Sequence, residues 1–146
     1  MRMVNEQQFF KKLQKRLGVI PIKNAERACY RSANLVKNTA VESILRGAKT
    51  GATVKRYNPE RTHTASAPGE PPASDTGFLA NSIIAEVQVS RGITSEVIGM
   101  VRAQSPYAAH LEFGTQKMAA RPFLQPALRK NYDRIEAIFR KEGIIS

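Results

Sequence analysis

The sequence predicts an α+β fold, with helices towards both ends and one antiparallel hairpin between them. Three observations predict it. Apolar residues recur at helical spacing over 5–17, 24–46 and 122–142. They alternate with polar residues over 82–103, and a stretch rich in Pro, Ser, Thr and Gly fills most of 47–77. Helical and strand periodicities kept in separate stretches of chain are the pattern of the α+β class.

Over 5–17, Phe9, Phe10, Leu13 and Leu17 fall on one helical stripe with lysines between them. Asn5 suits an N-cap and Gly18 a stop, and Pro21 separates this segment from the next. Residues 1–23 therefore read as an N-terminal helical extension. Over 24–46, Asn24 suits a cap. Ala25, Ala28, Cys29, Ala33, Val36, Ala40, Ile44 and Leu45 lie close to one stripe. Small residues on a stripe let a helix sit close to a sheet or another helix. Gly47 and Gly51 are placed to end it.

Thr53–Tyr57 suits a short edge strand. Residues 59–77 then read as an extended loop, because Pro68, Pro71 and Pro72 cannot donate ladder hydrogen bonds. So long a loop in a compact domain is usually disordered or a contact element. Its prolines restrict the free chain and lower the cost of ordering it on a partner.

Over 82–103, Ile83, Ala85, Val87 and Val89 alternate with Ile84, Glu86, Gln88 and Ser90, and Arg91-Gly92 supplies a turn. Val97, Gly99 and Val101 then alternate with Glu96, Ile98, Met100 and Arg102. Ile84, Ile98 and Met100 make the second face apolar enough to be covered in part by a neighbouring subunit. Residues 106–112 read as one helical turn. Over 122–142 the stripe is Leu124, Leu128, Tyr132, Ile135, Ile138 and Phe139, with Pro122 in the first turn and Gly143 as terminator.

The length of 146 residues fits one domain spanning 1–146. A chain of this size buries roughly 68–70% of the surface its unfolded form exposes, enough for one core. There are 23 Lys and Arg against 12 Asp and Glu, a net charge of +11. The charge gathers in Lys11, Lys12, Lys15, Arg16 and Lys23, and again in Arg129, Lys130, Arg134, Arg140 and Lys141. Such blocks form a solvated helix face, or meet DNA or an acidic protein partner. Cys29 is the one cysteine, so no intramolecular disulfide forms. On its alanine-rich stripe it packs as a small apolar side chain. No apolar run approaches the ~18 residues of a membrane span. The N-terminus lacks the apolar core of a signal peptide. The expected setting is cytoplasmic, without a membrane partner.

Catalytic patterns are sparse. His110-Leu111-Glu112 supplies the H-x-E of zinc deaminases without the P-C-x-x-C half. A catalytic zinc needs three protein ligands, and two histidines and one cysteine meet that only by chance. Asp75 and Glu112 are candidate paired carboxylates with no second supporting feature. Phosphate-binding glycine loops and nucleophile elbows are missing from the sequence. The sequence therefore predicts no enzyme, no cofactor and no metal site.

The richest stretch is Tyr107–Leu128. Gly114 permits a turn at positive φ, Phe113 anchors beside it, and Thr115 can hydrogen-bond the turned backbone. Arg121 is close enough in sequence to return to Glu112 as an ion pair. Two expectations follow. Either the turn fixes the last helix against the sheet, or Phe113, Met118 and Phe123 also meet an adjacent protomer, aromatics, Met and Arg being enriched in interface cores. Candidate joint or interface residues are Tyr107, Glu112, Phe113, Gly114, Thr115, Met118, Arg121, Pro122 and Phe123. Candidate loop residues are Pro68, Gly69, Glu70, Pro71, Pro72, Thr76 and Gly77.

Three blocks in order carry a resemblance. They are Ala67-Pro68-Gly69-Glu70-Pro71-Pro72 with Thr76-Gly77-x-Leu79-x-x-Ser82-Ile83, then Tyr107-Ala108-x-x-Leu111-Glu112-Phe113-Gly114-Thr115, then Met118-x-Ala120-Arg121-Pro122-Phe123-Leu124-x-Pro126-Ala127-Leu128. Together they resemble the gene-product-ten-like tail-component family of lambdoid, long-tailed bacteriophages. Ala119 departs from the family's proline. The resemblance implies a helix packed on a small antiparallel sheet. It implies a virion structural protein of the head–tail neck or tail end, assembled in the host cytoplasm as a hexameric or dodecameric ring. In such rings a long loop and sheet edges join neighbours. The implied partners are further copies of the chain, the phage head-closure or connector proteins, and the tail-tube or tail-terminator proteins. DNA would pass through the lumen. The expected mechanism is an ordering of residues 59–77 on joining the ring. The alternative is a free, basic nucleic-acid-binding protein, although no recognised motif for that is present.

Overall fold

The computed structural model describes residues 22–93 and 95–146. The helix expected at 5–17 lies outside the described residues. The fold is α+β: helices with two small antiparallel sheets.

Helix α1 spans Ile22–Arg46 and buries Ala28, Cys29, Ser32, Ala33, Val36, Ala40 and Ile44. Their spacing of three and four places them on one face. The chain is already helical at Ile22, two residues before the expected cap. Asn24 is instead inside it, and its Nδ2 donates to the Glu142 carbonyl at 3.3 Å. The small stripe serves close packing against a sheet. A Cβ on Gly99 would stand 3.1 Å from the Cys29 carbonyl oxygen and 3.2 Å from the Cys29 Cβ. Gly99 thus lets a strand approach α1 more closely than any larger residue would. Cys29 is buried there, and burial raises its thiol pKa.

That strand belongs to the expected hairpin. Strand β3 is Ile83–Ser90 and β4 is Glu96–Ala103, numbered after the β1–β2 pair described below. They pair antiparallel from Ile83↔Ala103 to Ser90↔Glu96. The register puts Ile83, Ala85, Val87 and Val89 with Val97, Gly99, Val101 and Ala103 on the face towards α1. Ile84, Met100 and Ile98 share the other face, where an Arg102–Glu86 ion pair of 2.6 Å also sits.

A second hairpin corrects the expected loop. Strand β1 is Thr53–Tyr57, as the sequence suggests, but it pairs with β2, Glu60–Thr64. The Asn58–Pro59 bond at the turn is cis. Strand β1 is exposed throughout and β2 has no buried residue, so the hairpin carries no apolar alternation to read. Arg56 and Arg61 tie it to Asp75 at 3.6 and 2.9 Å. The residues without regular structure therefore begin at Ala65, not at Pro59.

After Gly77 (φ +78°) comes one turn of helix, α2 (Phe78–Asn81), which buries Leu79 and Ala80. Helix α3 is Ala108–Phe113. The single C-terminal helix expected over 122–142 is two: α4 (Leu124–Lys130) and α5 (Tyr132–Lys141). The break is at Asn131, only 2% exposed, whose Nδ2 donates to Thr39 Oγ1 and the Ala127 carbonyl, both at 2.8 Å. Satisfying a buried amide this way outweighs the regularity of one continuous helix. Gly143 ends α5 as expected. Ile144 N–H donates to Phe139 O and Gly143 N–H to Arg140 O, both at 3.0 Å, with Gly143 at φ +75°, the Schellman pattern. Beside it Glu142, its side chain 8% exposed, pairs with Arg27 and Arg31 at 3.4 and 3.2 Å and pins α5 to α1.

The core lies between these layers: Val36, Ala40 and Ile44 of α1 meet Leu79, Ala80, Ile83, Ala108, Phe123 and Ala127.

Candidate functional site

The stretch from Tyr107 to Leu128 is a joint built around one carboxylate. Glu112, near the end of α3, accepts the N–H groups of Phe123 and Leu124 on Oε2 at 2.8 and 3.0 Å, and of Gln125 on Oε1 at 2.8 Å. Those are the donors that the first turn of α4 leaves without carbonyl partners. The next residue, Pro126, has no N–H to satisfy. A carboxylate at a helix N-terminus also faces the positive end of the helix dipole. Pro126, not Pro122, is thus the proline of the first turn. The ion pair expected between Glu112 and Arg121 does not form, since both carboxylate oxygens are occupied by backbone.

Gly114 sits at φ +76°, as the turn requires. A Cβ there would stand 2.9 Å from Ala120 N and 3.0 Å from Met118 O. Thr115 and Met118 form a small antiparallel bridge, with Thr115 N–H donating to Met118 O at 2.8 Å. The Thr115 hydroxyl accepts from Lys117 N–H at 3.3 Å. Arg121 N–H donates to Leu111 O at 2.6 Å, so the chain returns alongside α3. Phe123 then enters the core at 1% exposure.

This sorts the candidate joint residues. Phe123 is a core residue of its own chain, which corrects the expectation that it meets a neighbour. Phe113 does not anchor the turn. It points outward, 82% exposed, and Tyr107 is 42% exposed. Met118 and Pro122 are half-buried. His110 is exposed, and its neighbour Glu112 is committed to backbone. Among the described residues no group of three His, Cys, Asp or Glu side chains is placed to hold a metal.

The proline segment is held by a second carboxylate. Glu70 accepts Thr50 Oγ1 at 2.6 Å, Thr50 N–H at 3.0 Å and Ala67 N–H at 2.8 Å. The Thr50 hydroxyl, then the Ala67 and Thr50 N–H groups, stabilise its charged form and lower its pKa, with a smaller contribution from the Arg121 charge. Gly69 (φ +83°) donates its N–H to Ala120 O at 3.0 Å. The first and third sequence blocks therefore touch. Pro72 is buried, Pro71 half-buried and Pro68 exposed, and the Thr76 hydroxyl accepts from Phe78 N–H at 3.4 Å beside Gly77. Residues 65–77 thus take their hydrogen bonds from Thr50 and Ala120 of the same chain.

A cleft of about 660 Å³ is walled by Cys29, Val36, Val101, Leu124, Leu128 and Phe139, with Phe113 on its lining. Sequence reading missed Glu112 as a cap, Asn131 and Glu142. The signal for the first was present: a proline two residues into the helix after a glutamate-ended turn.

The chain matches no protein-family profile, no curated protein and no solved structure.

Proposed function

We propose that the protein is a structural assembly protein of a phage or prophage. It forms a ring at the head–tail neck or the tail end and takes part in joining or completing the tail. The observation that carries this is Phe113. A rigid joint, fixed by Glu112 and Gly114, holds a phenylalanine 82% exposed beside an apolar cleft. Large apolar side chains held out from a rigid support, next to further apolar surface, mark interaction sites. The hairpin β3–β4 supports the same reading. Among the described residues it has two strands only, so each keeps one edge unpaired, and its outer face carries Ile84, Ile98 and Met100. Unpaired edges take strands from neighbours. The order of the three sequence blocks supplies the phage assignment. Such a role uses contacts and needs no catalysis, cofactor or metal.

Negative-stain electron microscopy of the purified chain, alone and with the head connector, tests it. Closed hexameric or dodecameric rings are expected, and Phe113→Asp should remove them while changing monomer stability by less than about 0.5 kcal/mol. A wild-type chain that stays monomeric in both conditions would refute the proposal.

The alternative, binding of duplex DNA by the free protein, draws on Arg129, Lys130, Arg134 and Lys141, all exposed on α4 and α5. Affinity should then fall with salt at a slope near −0.9 per phosphate neutralised, and no binding at low salt dismisses it.

A further inference from the structure

We propose that the apolar cleft beside Phe113 is the seat of the chain's own N-terminal segment: residues 5–17 fold back as a helix along α1 and set Phe9, Phe10 and Leu13 into it. The cleft holds about 660 Å³. Cys29, Ala33 and Val36 of α1 line it, together with Gly99 of β4 and Phe139 of α5. Gly99 stands against Cys29, and Glu142, three residues beyond Phe139, pairs with Arg27 and Arg31. Cys29, Gly99 and Phe139 therefore mark the end of the cleft towards Ile22, where α1 begins.

The surface around the cleft is incompletely covered. Helix α5 is amphipathic, yet none of its residues is fully buried. Ile135 and Phe139 stay half-buried, and Leu128 of α4 is 40% exposed. On β4, Gly99 is exposed and Val101 half-buried. Ala25, on the α1 stripe one turn before Cys29, is also only half-buried. An amphipathic helix gains most of its stability when its apolar stripe is covered.

The chain before Ile22 supplies the cover. At about 100° per residue, Phe9, Phe10, Leu13 and Leu17 fall within an arc of about 100°, and Lys11, Lys12, Lys15 and Arg16 take the rest of the circumference. The stripe can enter the cleft while the cations stay in water. The link is short, because the Cα steps from Leu17 to Ile22 span at most about 18 Å. Gly18 suits the end of one helix and Pro21 the start of the next, and a connection of this length joins antiparallel neighbours. Val19 and Ile20 between them are apolar, as suits a packed hairpin rather than a solvated linker. Folding back also matches heights. Phe10 lies as many residues before Leu17 as Cys29 lies after Ile22, about 10 Å along each helix. The tether favours the segment's own cleft over a neighbour's, because it keeps the local concentration high. Phe113, on α3, is left for contacts between copies. The docking rests on one chain and not on the ring assignment, so a docked segment without a ring, or a ring with the segment detached, separates the two.

The test places a nitroxide at Gln8→Cys, on the lysine side of the segment, in the full chain carrying Cys29→Ala, and reads paramagnetic broadening of backbone amides. The amides of Gly99 and Phe139 should broaden strongly, and those of Thr50 and Glu70, past the other end of α1, should not. Phe9→Asp combined with Phe10→Asp should remove most of the broadening. Equal broadening in that double variant means a loose tether and overturns the proposal, as does an absence of broadening at Gly99 and Phe139. Spin-labelled chain mixed with separately isotope-labelled chain should give none; broadening in the mixture alone seats the segment on another copy and overturns docking within the chain. Hydrogen exchange needs neither the label nor the Cys29 change. The amides of α5 should exchange roughly tenfold faster in Phe9→Asp with Phe10→Asp than in wild type, and unchanged exchange there overturns the proposal as well.

Discussion

Removing the Glu112 carboxylate isolates the energetics of the joint. Glu112→Ala strips the acceptor from three N–H groups held at 2.8, 3.0 and 2.8 Å. They are not equivalent. The Gln125 N–H is exposed and recovers most of its loss by bonding water. The Phe123 N–H belongs to a residue 1% exposed, where water has little access. A buried donor left unsatisfied costs about 1–3 kcal/mol, and loss of an N-terminal cap about 0.5–2 kcal/mol. The expected destabilisation is therefore about 3 kcal/mol. At about 2–4 °C per kcal/mol for a chain approaching 150 residues, Tm should fall by roughly 6–12 °C. Glu112→Gln retains one carbonyl acceptor and turns an amide towards N–H donors, so a loss of about 1–2 kcal/mol is expected. Urea unfolding followed by far-UV circular dichroism measures both, given a two-state transition with unchanged m-value. A loss below about 0.5 kcal/mol in Glu112→Ala would refute the cap, since that is the scale of an ordinary surface substitution.

Three further outcomes follow from other contacts. Gly114→Val should destabilise the chain by more than about 3 kcal/mol, because it combines positive φ with a Cβ 2.9 Å from Ala120 N, whereas Gly69→Ala, with open space around it, should cost only about 1 kcal/mol; thermal melts of the two side by side check the contrast. For Glu70 the folded pKa lies below the ordinary value of about 4.5, so its contribution is present above that pH and fades as pH falls through the folded value. The Tm gap between wild type and Glu70→Gln should accordingly be constant near neutrality and close below about pH 4.5, and a gap unchanged at pH 3 would contradict the clamp. Asn131→Ala should cost about 2 kcal/mol, because it removes the bonds to Thr39 Oγ1 and the Ala127 carbonyl and opens a void at a site 2% exposed; a melt unchanged from wild type would show that the break between α4 and α5 has another cause.

The legible parts of the fold were those whose burial is periodic. The α1 stripe and the β3–β4 alternation each bury one face, so residue spacing alone located them. The β1–β2 hairpin buries almost nothing and is held by Arg56, Arg61 and Asp75, which leaves only charge scattered along the chain. The helix break at Asn131 was hidden for a different reason. The apolar stripe runs unbroken from Leu124 to Phe139, and only the amide's partners on α1 and α4 explain the kink. In the joint, Gly114 was readable from its residue type, because positive φ narrows the choice to glycine. The directions of Phe113 and Phe123 were not. Two aromatics close in sequence look alike there, yet Phe123 enters the core and Phe113 faces solvent. Glu112 was misassigned for a similar reason. A nearby arginine made an ion pair the simpler expectation, but three backbone donors converge on the carboxylate first.

We propose above that this chain is a ring-forming component of a phage particle. Quantitative mass spectrometry of purified particles from a phage that encodes it is the most direct measurement. The chain is expected at a fixed hexameric or dodecameric copy number relative to the head connector. Mature, infectious particles that lack the chain altogether would contradict it.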